Sequence, residues 1–367
     1  DHVLETDGQG QVLALRPRQA GDQPTLIEGV LTPGLVNAHC HLELSALKGQ
    51  IPEGTGMTGF VSALFAGRGQ ISDEAAAQAV GEALDDAWKT GTVAIGDICN
   101  AALSISAKQQ EKRVWTHSFI EILGLAEDRA EAIYATGEAL AAQFAGLSAS
   151  LTAHAPYSMS PALLERIGEG TPGRRSVHLL ESEAERALFE EEKGDFLDFF
   201  EKFNLPYQGF RSEHVLDHIT RPFSDEEDML WVHLTEANPV ELAALVRDFP
   251  CSYFCLCPRS NYFIHRRYPN LERLLPYADR ICLGTDSLAS NHDLDMVAEM
   301  RTIQELRPEI SLHTLLKWTS TQGAAALGKG EQLGHFVAGG SPGIMQLAPL
   351  GPDGQLLPSS CATPLEG

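Results

Sequence analysis

Short apolar runs alternate with longer helical patterns along most of this 367-residue chain. Each run is bounded by polar residues, glycine or proline, as is typical of a buried strand that is followed by a loop and a helix. Eight strands that alternate with helices favour a closed (β/α)8 barrel of the TIM type over an open sheet. The predicted strands are 34–39, 92–98, 114–122, 150–154, 176–180, 230–233, 252–257 and 280–284, and the helical patterns include 72–90, 128–144, 161–167, 239–248 and 271–277.

The two ends of the chain carry a different pattern. Residues 3–15 and 26–31 predict short strands around the turn Asp7-Gly8-Gln9-Gly10, and residues 334–347 are similar. We therefore predict a small β-sandwich domain from residues 1–32 and 333–367, with the barrel over residues 33–332. The chain begins inside a strand pattern, so we expect further residues before it. Residues 202–222 are the least regular segment and are a candidate loop at the barrel mouth.

Charge and hydropathy exclude several kinds of partner. The formal net charge of -23 would repel a nucleic-acid backbone. The sequence has neither an apolar run long enough to cross a bilayer nor a recognisable signal peptide. We therefore expect a small-molecule substrate, no nucleic acid and no membrane. The assembly that we expect is a homodimer.

The seven cysteines are an odd number and do not predict a disulfide framework. Reduced cysteine in an apolar strand behaves as a small hydrophobic residue, which favours a reducing cytoplasm. Cys255 and Cys257 resemble half of a zinc site, but they lack a second pair, so core packing is the better interpretation. The cysteines assigned to strands are Cys40, Cys99, Cys251, Cys255, Cys257 and Cys282.

Residue types that bind metals stand at the predicted carboxyl ends of four strands. His39 and His41 end the first strand, and their spacing points both side chains the same way. His178, His233 and Asp286 end the fifth, sixth and eighth strands. Each alone fits a hydrogen-bonded side chain or a turn residue better than a ligand. Because these strand ends meet at one barrel mouth, their coincidence predicts one divalent metal, zinc or iron(II).

Six short motifs together resemble the amidohydrolase superfamily over nearly the whole chain. They are T-P-G-L-V-N-A-H-C-H (32–41), H-A-P-Y-S (154–158), H-L-L-E-S-E (178–183), V-H-L-T (232–235), C-P-R-S-N (257–261) and G-T-D-S (284–287). The resemblance implies that His39, His41, His178 and Asp286 ligate one metal, most commonly Zn²⁺, and that His233 hydrogen-bonds the metal-bound water or the substrate. Binuclear members carry a carboxylated lysine at the end of strand four. This chain has His154 in Leu-Thr-Ala-His-Ala-Pro there, which favours a mononuclear site.

Glu181 lies three residues after His178, and this H-x-x-E spacing resembles the deaminase branch of the superfamily. The resemblance implies that Glu181 takes a proton from water activated by the metal and delivers it to a ring nitrogen of the substrate. His233 and Asp286 complete the expected catalytic set, with Asp286 collecting a proton as ammonia leaves. The alternative for Glu181 is a solvated acid at the start of a helix.

Five residues are expected to contact the substrate. His154, Tyr157, Arg259 and Asn261 match loops that contact substrate in the nucleoside deaminase branch, and Arg259 could pair with a substrate carboxylate. A surface salt bridge is the alternative for Arg259. Glu43 is a candidate for a ribose hydroxyl or ring edge, or it orients a neighbouring loop. The helical spacing of four apolar residues predicts core packing over a lid, and these are Phe196, Leu197, Phe199 and Phe200.

The motifs N-A-H-C-H-L-E-L-S and C-P-R-S-N are most similar to 6-amino-6-deoxyfutalosine deaminases, with adenosine and S-adenosylhomocysteine deaminases as neighbouring branches. The expected function is therefore metal-dependent deamination of an aminopurine nucleoside-like compound in the cytoplasm. One alternative is hydrolysis of another C–N or C–Cl bond, in a cyclic amide, a guanidine or an aryl halide. The other is a barrel that has lost catalysis and serves as a scaffold.

Overall fold

The computed structural model describes residues 2–212 and 214–365. The strands are β1 (His2–Thr6), β2 (Val12–Pro17), β3 (Val30–Pro33), β4 (Leu35–Cys40), β5 (Thr92–Cys99), β6 (Trp115–Ile122), β7 (Ser148–Ala153), β8 (Arg174–Leu179), β9 (Asp228–His233), β10 (Tyr253–Leu256), β11 (Ile281–Leu283), β12 (Ile344–Leu350) and β13 (Leu356–Pro364). The α-helices are α1 (Gly56–Arg68), α2 (Asp73–Lys89), α3 (Ile105–Gln110), α4 (Ala130–Gln143), α5 (Pro161–Gly168), α6 (Glu183–Glu191), α7 (Asp195–Lys202), α8 (Val215–Thr220), α9 (Pro239–Asp248), α10 (Pro258–His265), α11 (Leu271–Leu274), α12 (Met296–Leu306), α13 (Leu312–Thr319) and α14 (Thr321–Ala326).

The strands β4 to β11 form the predicted barrel. They pair in parallel in two groups of four, β4-β5-β6-β7 and β8-β9-β10-β11. The two groups meet along two seams. At the seam between β7 and β8, the backbone amide of His178 donates to the carbonyl of His154 at 3.0 Å. At the other seam, Cys40 in β4 pairs with Asp286 just after β11. The predicted (β/α)8 barrel is therefore confirmed, with all eight of its strands in the predicted order.

Local sequence signals explain where two of the predicted helices begin. The Ser72 side chain accepts a hydrogen bond from the amide of Ala75 and caps α2. At the start of α9, Asn238 and Glu241 form a reciprocal capping box, followed by Pro239 in the first turn. These caps place α2 and α9 within one residue of the predicted patterns. The apolar residues on one face of each helix are buried.

A small antiparallel sheet from both ends of the chain lies beside the barrel. Its strand order is β13-β12-β3, and β1 and β2 form a separate hairpin around the predicted turn. The strand predicted over residues 26–31 starts earlier than the observed strand, since β3 begins at Val30. The pattern over residues 334–347 was also too early, because Gly334, Gly339 and Gly343 adopt positive φ before β12 begins. The strand β13 was not predicted.

The cysteines follow the prediction with one exception. All seven are free thiols, and Cys255 and Cys257 are fully buried in the core. Core packing is therefore the better interpretation for this pair, as predicted. Cys251 was assigned to a strand but is exposed in the turn before β10. The predicted core position of Phe196, Phe199 and Phe200 on α7 is confirmed by their burial.

The candidate mouth loop, residues 202–222, contains a regular element that the sequence pattern did not reveal. The short helix α8 occupies Val215–Thr220, and Phe210 stacks on Phe189 of α6. Residue 213 lies outside the described residues. Within the described residues, no helix combines the length and the apolar character that crossing a membrane requires.

A buried ion pair supports the loop after β4. The carboxylate of Asp97 in β5 lies 2.5 Å from the Lys108 ammonium, and neither side chain is exposed to solvent. Its other oxygen accepts from the backbone amide of Leu42 at 2.8 Å. Lys108 also donates to Ser118 in the next strand at 2.7 Å. The pair therefore fixes the chain immediately after His41.

We expect the substitution Lys108→Met to destabilise the fold by roughly 3–5 kcal/mol, because it leaves the Asp97 carboxylate buried without a counter-charge. Urea unfolding measures this change. The control is Lys89→Met, which removes an ammonium 2.6 Å from Asp85 on the exposed face of α2 and should leave the unfolding midpoint nearly unchanged. Equal effects of the two substitutions would contradict a structural role for the buried pair.

Candidate metal and catalytic site

Three histidines from two strands converge at the mouth of the barrel. His39 and His41 stand at the end of β4, and His178 stands in β8. One nitrogen from each lies within 4.8 Å of the other two, and the Nε2 atoms of His41 and His178 are 3.2 Å apart. The Oδ1 atom of Asp286 lies 3.4 Å from His41 Nε2 and 3.9 Å from His39 Nε2. The structure thus brings together the four residues that the sequence analysis assigns to the metal.

The outer nitrogens of two of these histidines are held by neighbouring groups. The Nδ1 atom of His39 lies 3.3 Å from the hydroxyl of Ser176, and that of His178 lies 2.9 Å from the carbonyl of His154. Since a carbonyl can only accept, His178 Nδ1 carries the proton and its Nε2 lone pair points into the site. Such outer contacts orient metal-binding imidazoles in proteins.

Burial keeps these imidazoles in the neutral form that a metal requires. It lowers the pKa of His39 well below its ordinary value and lowers the pKa of His41 to about 3. It lowers the pKa of His178 as well. Among the described residues, the buried Nε2 atom of His39 has no hydrogen-bond partner, which is costly unless a ligand satisfies it. The donor set therefore fits a divalent cation.

Asp286 is held so that one of its oxygens faces the histidines. Its Oδ2 atom accepts hydrogen bonds from Ser260 at 2.6 Å and from Ser290 at 2.9 Å. The Oδ1 atom is thereby left toward His39 and His41. Ser260 lies on α10 and Ser290 follows in the same loop as Asp286, so two separate elements fix this carboxylate.

The backbone is in the left-handed region at the ends of three barrel strands. The φ angles are +49° at Leu180, +74° at His233 and +57° at Asp286. Non-glycine residues adopt this conformation at a cost, and such strain concentrates at functional sites. Here the backbone turns sharply at the end of each of these strands. These turns direct Glu181, His233 and Asp286 toward the barrel mouth.

Glu181 is buried beside the histidine group and contacts two further imidazoles. Its Oε2 atom lies 3.5 Å from His233 Nε2, and its Oε1 atom lies 3.3 Å from His265 Nε2. Burial alone would raise its pKa, but His233 and His265 outweigh burial and lower the pKa to about 2. The alternative of a solvated acid at a helix start is therefore wrong for Glu181. That description fits Glu183, which is exposed at the start of α6.

His233 borders the three-histidine group without belonging to it. Its ring centroid is 5.5 Å from that of His178. The side-chain amide of Asn261 lies 3.2 Å from His233 Nδ1. If this amide donates, the proton of a neutral His233 is on Nε2, facing Glu181. Asn261, which was expected to contact the substrate, is thus in direct contact with His233.

A carboxylate that the sequence analysis did not single out lies behind His178. Glu121, in β6, places Oε1 3.6 Å from His178 Nδ1, and its Oε2 atom accepts from Asn100 at 3.0 Å. Glu121, His154 and His178 form a second grouping of possible ligand atoms. His178 Nδ1 already donates to a carbonyl, so the geometry favours Glu121 as a support of His178 over a second metal site.

The two aromatic candidates for substrate contact lie together on the inner side of the site. The ring of His154 is 5.0 Å from that of His178, and its Nδ1 atom lies 2.7 Å from the hydroxyl of Ser158. Burial lowers the pKa of His154 to about 4. Tyr157 stacks on Phe196 of α7 with ring centroids 4.3 Å apart. Both side chains therefore form part of the wall beside the histidine group.

The other two candidates are engaged by the protein itself. The carboxylate of Glu43 accepts from the backbone amides of Asn100 and Ala101 at 3.1 and 3.0 Å, and burial raises its pKa to about 7. The geometry favours the loop-orienting alternative for Glu43 over a contact with ribose. Arg259 forms a two-pronged pair with Asp293 at 2.5 and 3.0 Å, so the salt-bridge alternative is the one present in the structure.

Sequence reasoning missed three supporting residues at this site. Glu121 carried a usable signal, because a charged residue between the apolar Ile120 and Ile122 in a buried strand is unusual. Ser290 and His265 lie in a loop and on a helix, where polar residues are ordinary. Only the spacing of His265 four residues after Asn261, on the same face of α10, hinted at a shared direction.

The matching family model is described as the amidohydrolase family and covers residues 30–345. This chain belongs to that family, as the six motifs predicted. The aminodeoxyfutalosine deaminase of Nitratiruptor sp. is 27% identical over 307 residues, which cover 78% of this chain and 71% of that protein. The adenosine deaminase of Helicobacter pylori is 27% identical over 284 residues, which cover 74% and 67%.

Solved structures share the fold. The aminofutalosine deaminase of Helicobacter pylori, in complex with methylthio-coformycin, has a TM-score of 0.76 and 24% identity over 93% of this chain and 86% of that chain. An adenosine deaminase from Xanthomonas campestris with bound zinc has a TM-score of 0.70 and 20% identity, over 94% and 79%. The barrel with its small β domain is thus the architecture of known hydrolases.

We expect Glu121→Gln to weaken zinc binding about 10–100-fold, because the carboxylate behind His178 raises the basicity of the facing Nε2 atom. Competition with a chromogenic zinc chelator measures the affinity. Glu131→Gln, at an exposed glutamate of α4, is the control. Unchanged zinc affinity in Glu121→Gln would contradict the supporting role of this residue.

Glu185 makes stability depend on pH. Burial raises its pKa from 4.5 to about 8, although its Oε2 atom accepts from the Glu181 amide at 3.1 Å. The folded state therefore binds this proton more tightly than the unfolded state. The resulting stability is full below about pH 4.5 and is lost as the pH rises through about 8.

We therefore expect Glu185→Gln, which cannot ionise, to gain stability relative to the parent protein as the pH rises from about 4.5 to about 8. Urea unfolding at about pH 5, 6.5 and 8, within that window, checks the trend. Glu201→Gln, at an exposed position on the neighbouring helix α7, should show a constant difference. A constant difference for Glu185→Gln as well would refute buried ionisation.

Proposed function

We propose that this protein is a metal-dependent hydrolytic deaminase of an aminopurine nucleoside-like small molecule, with 6-amino-6-deoxyfutalosine as its substrate. Membership of the amidohydrolase family supports the hydrolytic chemistry. Relatives named as aminodeoxyfutalosine, adenosine and 5-methylthioadenosine/S-adenosylhomocysteine deaminases support the substrate class. The observation that carries the proposal is the buried carboxylate of Glu181, held beside the histidine group by two imidazoles.

His39, His41, His178 and Asp286 would hold the metal. When bound, it would lower the pKa of water, so that hydroxide is available as the nucleophile at neutral pH. Glu181 would accept a proton from the attacking water, since its carboxylate is ionised and is held beside the histidine group. It then donates that proton to the ring nitrogen next to the carbon under attack.

The remaining proton transfer completes the balance of the reaction. A C–O bond forms and the C–N bond to the exocyclic amine breaks. Of the two protons of water, one ends on the ring nitrogen and one on the departing amine, which leaves as ammonia. Asp286, held by Ser260 and Ser290, is placed to carry the second proton, and His233 stabilises the oxygen that develops charge.

The wall of the site is suited to a flat heterocycle. Tyr157 stacks on Phe196, and the His154 ring meets Tyr157 edge to face at 5.6 Å. A carboxylate on the substrate, such as that of a futalosine-type compound, could reach Arg259 only by replacing or joining Asp293. Asp293 is half exposed, so this exchange would occur at the surface end of the pair.

We expect ammonia release from a panel containing adenosine, 5′-methylthioadenosine, S-adenosylhomocysteine and 6-amino-6-deoxyfutalosine, with the highest kcat/KM for the last. Glu181→Gln should lower kcat about 10²–10⁴-fold while zinc content is retained, because the variant cannot carry the proton. The control is Glu183→Gln, whose parent side chain is exposed two residues further on.

Three results would contradict the proposal. Chloride or carboxylate release without ammonia would favour hydrolysis of another bond. Full activity of Glu181→Gln would remove the proton carrier. A protein that neither binds zinc nor releases ammonia from any compound of the panel after zinc addition would support the scaffold alternative.

A further inference from the structure

The helix α10 supports three groups of the site from one side. It begins directly after β10, with Cys257 as its N-cap. Its Ser260 side chain donates to Asp286, and its Asn261 amide faces His233. One turn after Asn261, on the same face of the helix, His265 faces Glu181. Since His233 and Glu181 are themselves 3.5 Å apart, Asn261 and His265 hold the two ends of one pair.

His265 is the contact of Glu181 on the side away from His233. Its Nε2 atom lies 3.3 Å from Oε1, while the other carboxylate oxygen faces His233. The neighbouring cations on this segment are engaged elsewhere, since Arg266 pairs with Glu53 and Arg267 with Glu183 and Glu236. The His265 side chain is only 9% exposed, so its ring cannot turn freely to solvent.

A carboxylate needs such a second contact to act as a directed proton carrier. The terminal torsion of a glutamate is broad and roughly two-fold, so a single contact leaves the plane of the carboxylate free to rotate. Contacts at both oxygens fix that plane. A displacement of about 1 Å at a reacting group can cost about 10²-fold in rate, so fixing the carboxylate has a direct kinetic consequence.

We propose that His265 is a positioning residue for Glu181: its Nε2–H donates to Oε1 and thereby directs Oε2 toward the reacting water and the ring nitrogen. The inference rests on the proposed deaminase function, in which Glu181 carries the proton. It assigns to the seventh barrel unit a role in directing the proton carrier.

The kinetic test compares His265→Ala with His265→Gln, whose amide nitrogen can occupy the place of Nε2. We expect His265→Ala to lower kcat about 10–100-fold with KM changed less than about threefold, and His265→Gln to recover most of the loss. Zinc content and the urea midpoint should stay close to those of the parent. Tyr262→Phe, at an exposed position on the same helix, is the control and should keep the parental kcat.

Two kinetic results would overturn the inference in an active enzyme. One is a His265→Ala variant with parental kcat. The other is a His265→Gln variant as slow as His265→Ala, which would indicate a packing role without a hydrogen bond. Absence of ammonia release by the parent protein would instead count against the proposed function.

A second measurement tests the contact without activity. In protein labelled with ¹⁵N-histidine, the Nε2–H signal of His265 is assigned by its loss in His265→Ala. We expect Glu181→Ala to shift this signal and to speed its exchange with water, whereas Glu183→Ala leaves it in place. An unchanged signal in Glu181→Ala would overturn the inference even if the parent protein proved inactive.

Discussion

The closure of the barrel between its first and last strands is the contact on which the site depends. The backbone carbonyl of His39 accepts hydrogen bonds from the amides of Thr285 and Asp286, both at 3.1 Å. A Cβ atom at Gly284 would lie 2.7 Å from that carbonyl oxygen, so glycine is required for this approach. The same contact sets the distance from His39 and His41 to the carboxylate of Asp286. The hydrogen bonds that close the barrel therefore also bring the candidate ligands together.

The opposite seam acts in the same way on His178. The carbonyl of His154 accepts from the backbone amide of His178 and also lies 2.9 Å from its Nδ1 atom. The carbonyl of His154, directly after β7, thus fixes both the register of β8 and the position of the proton on the His178 imidazole. Both seams between the four-stranded halves of the barrel contribute directly to the histidine group. A shift of either half would separate His41 from His178, whose Nε2 atoms now lie 3.2 Å apart.

The sequence predicted the barrel and the residues grouped at its mouth because strand ends follow from local hydrophobic pattern and because ligand types are recognisable by chemistry. The strand pattern began before β12 because residues 334–343 include apolar side chains, whereas Gly334, Gly339 and Gly343 adopt positive φ there and delay the strand to Ile344. The alternatives for Glu43 and Arg259 stayed open because they depend on competing partners distant in the chain. Two backbone amides engage Glu43, and Asp293 engages Arg259. Such competition is decided by the folded geometry and leaves no trace in spacing.

The barrel units divide the work between presenting groups and supporting them. Strands one, five, six and eight present the histidines, Glu181 and Asp286, which is why strand-end chemistry revealed them. The other units act from behind: Asp97 of the second strand holds the amide after His41, and Glu121 of the third faces His178. A supporting residue of this kind needs only a hydrogen-bonding group within reach of the side chain or amide that it holds, so many residue types can serve. The candidate metal ligands and Glu181 were recognisable from the sequence, whereas most of the supports became visible only in the folded chain.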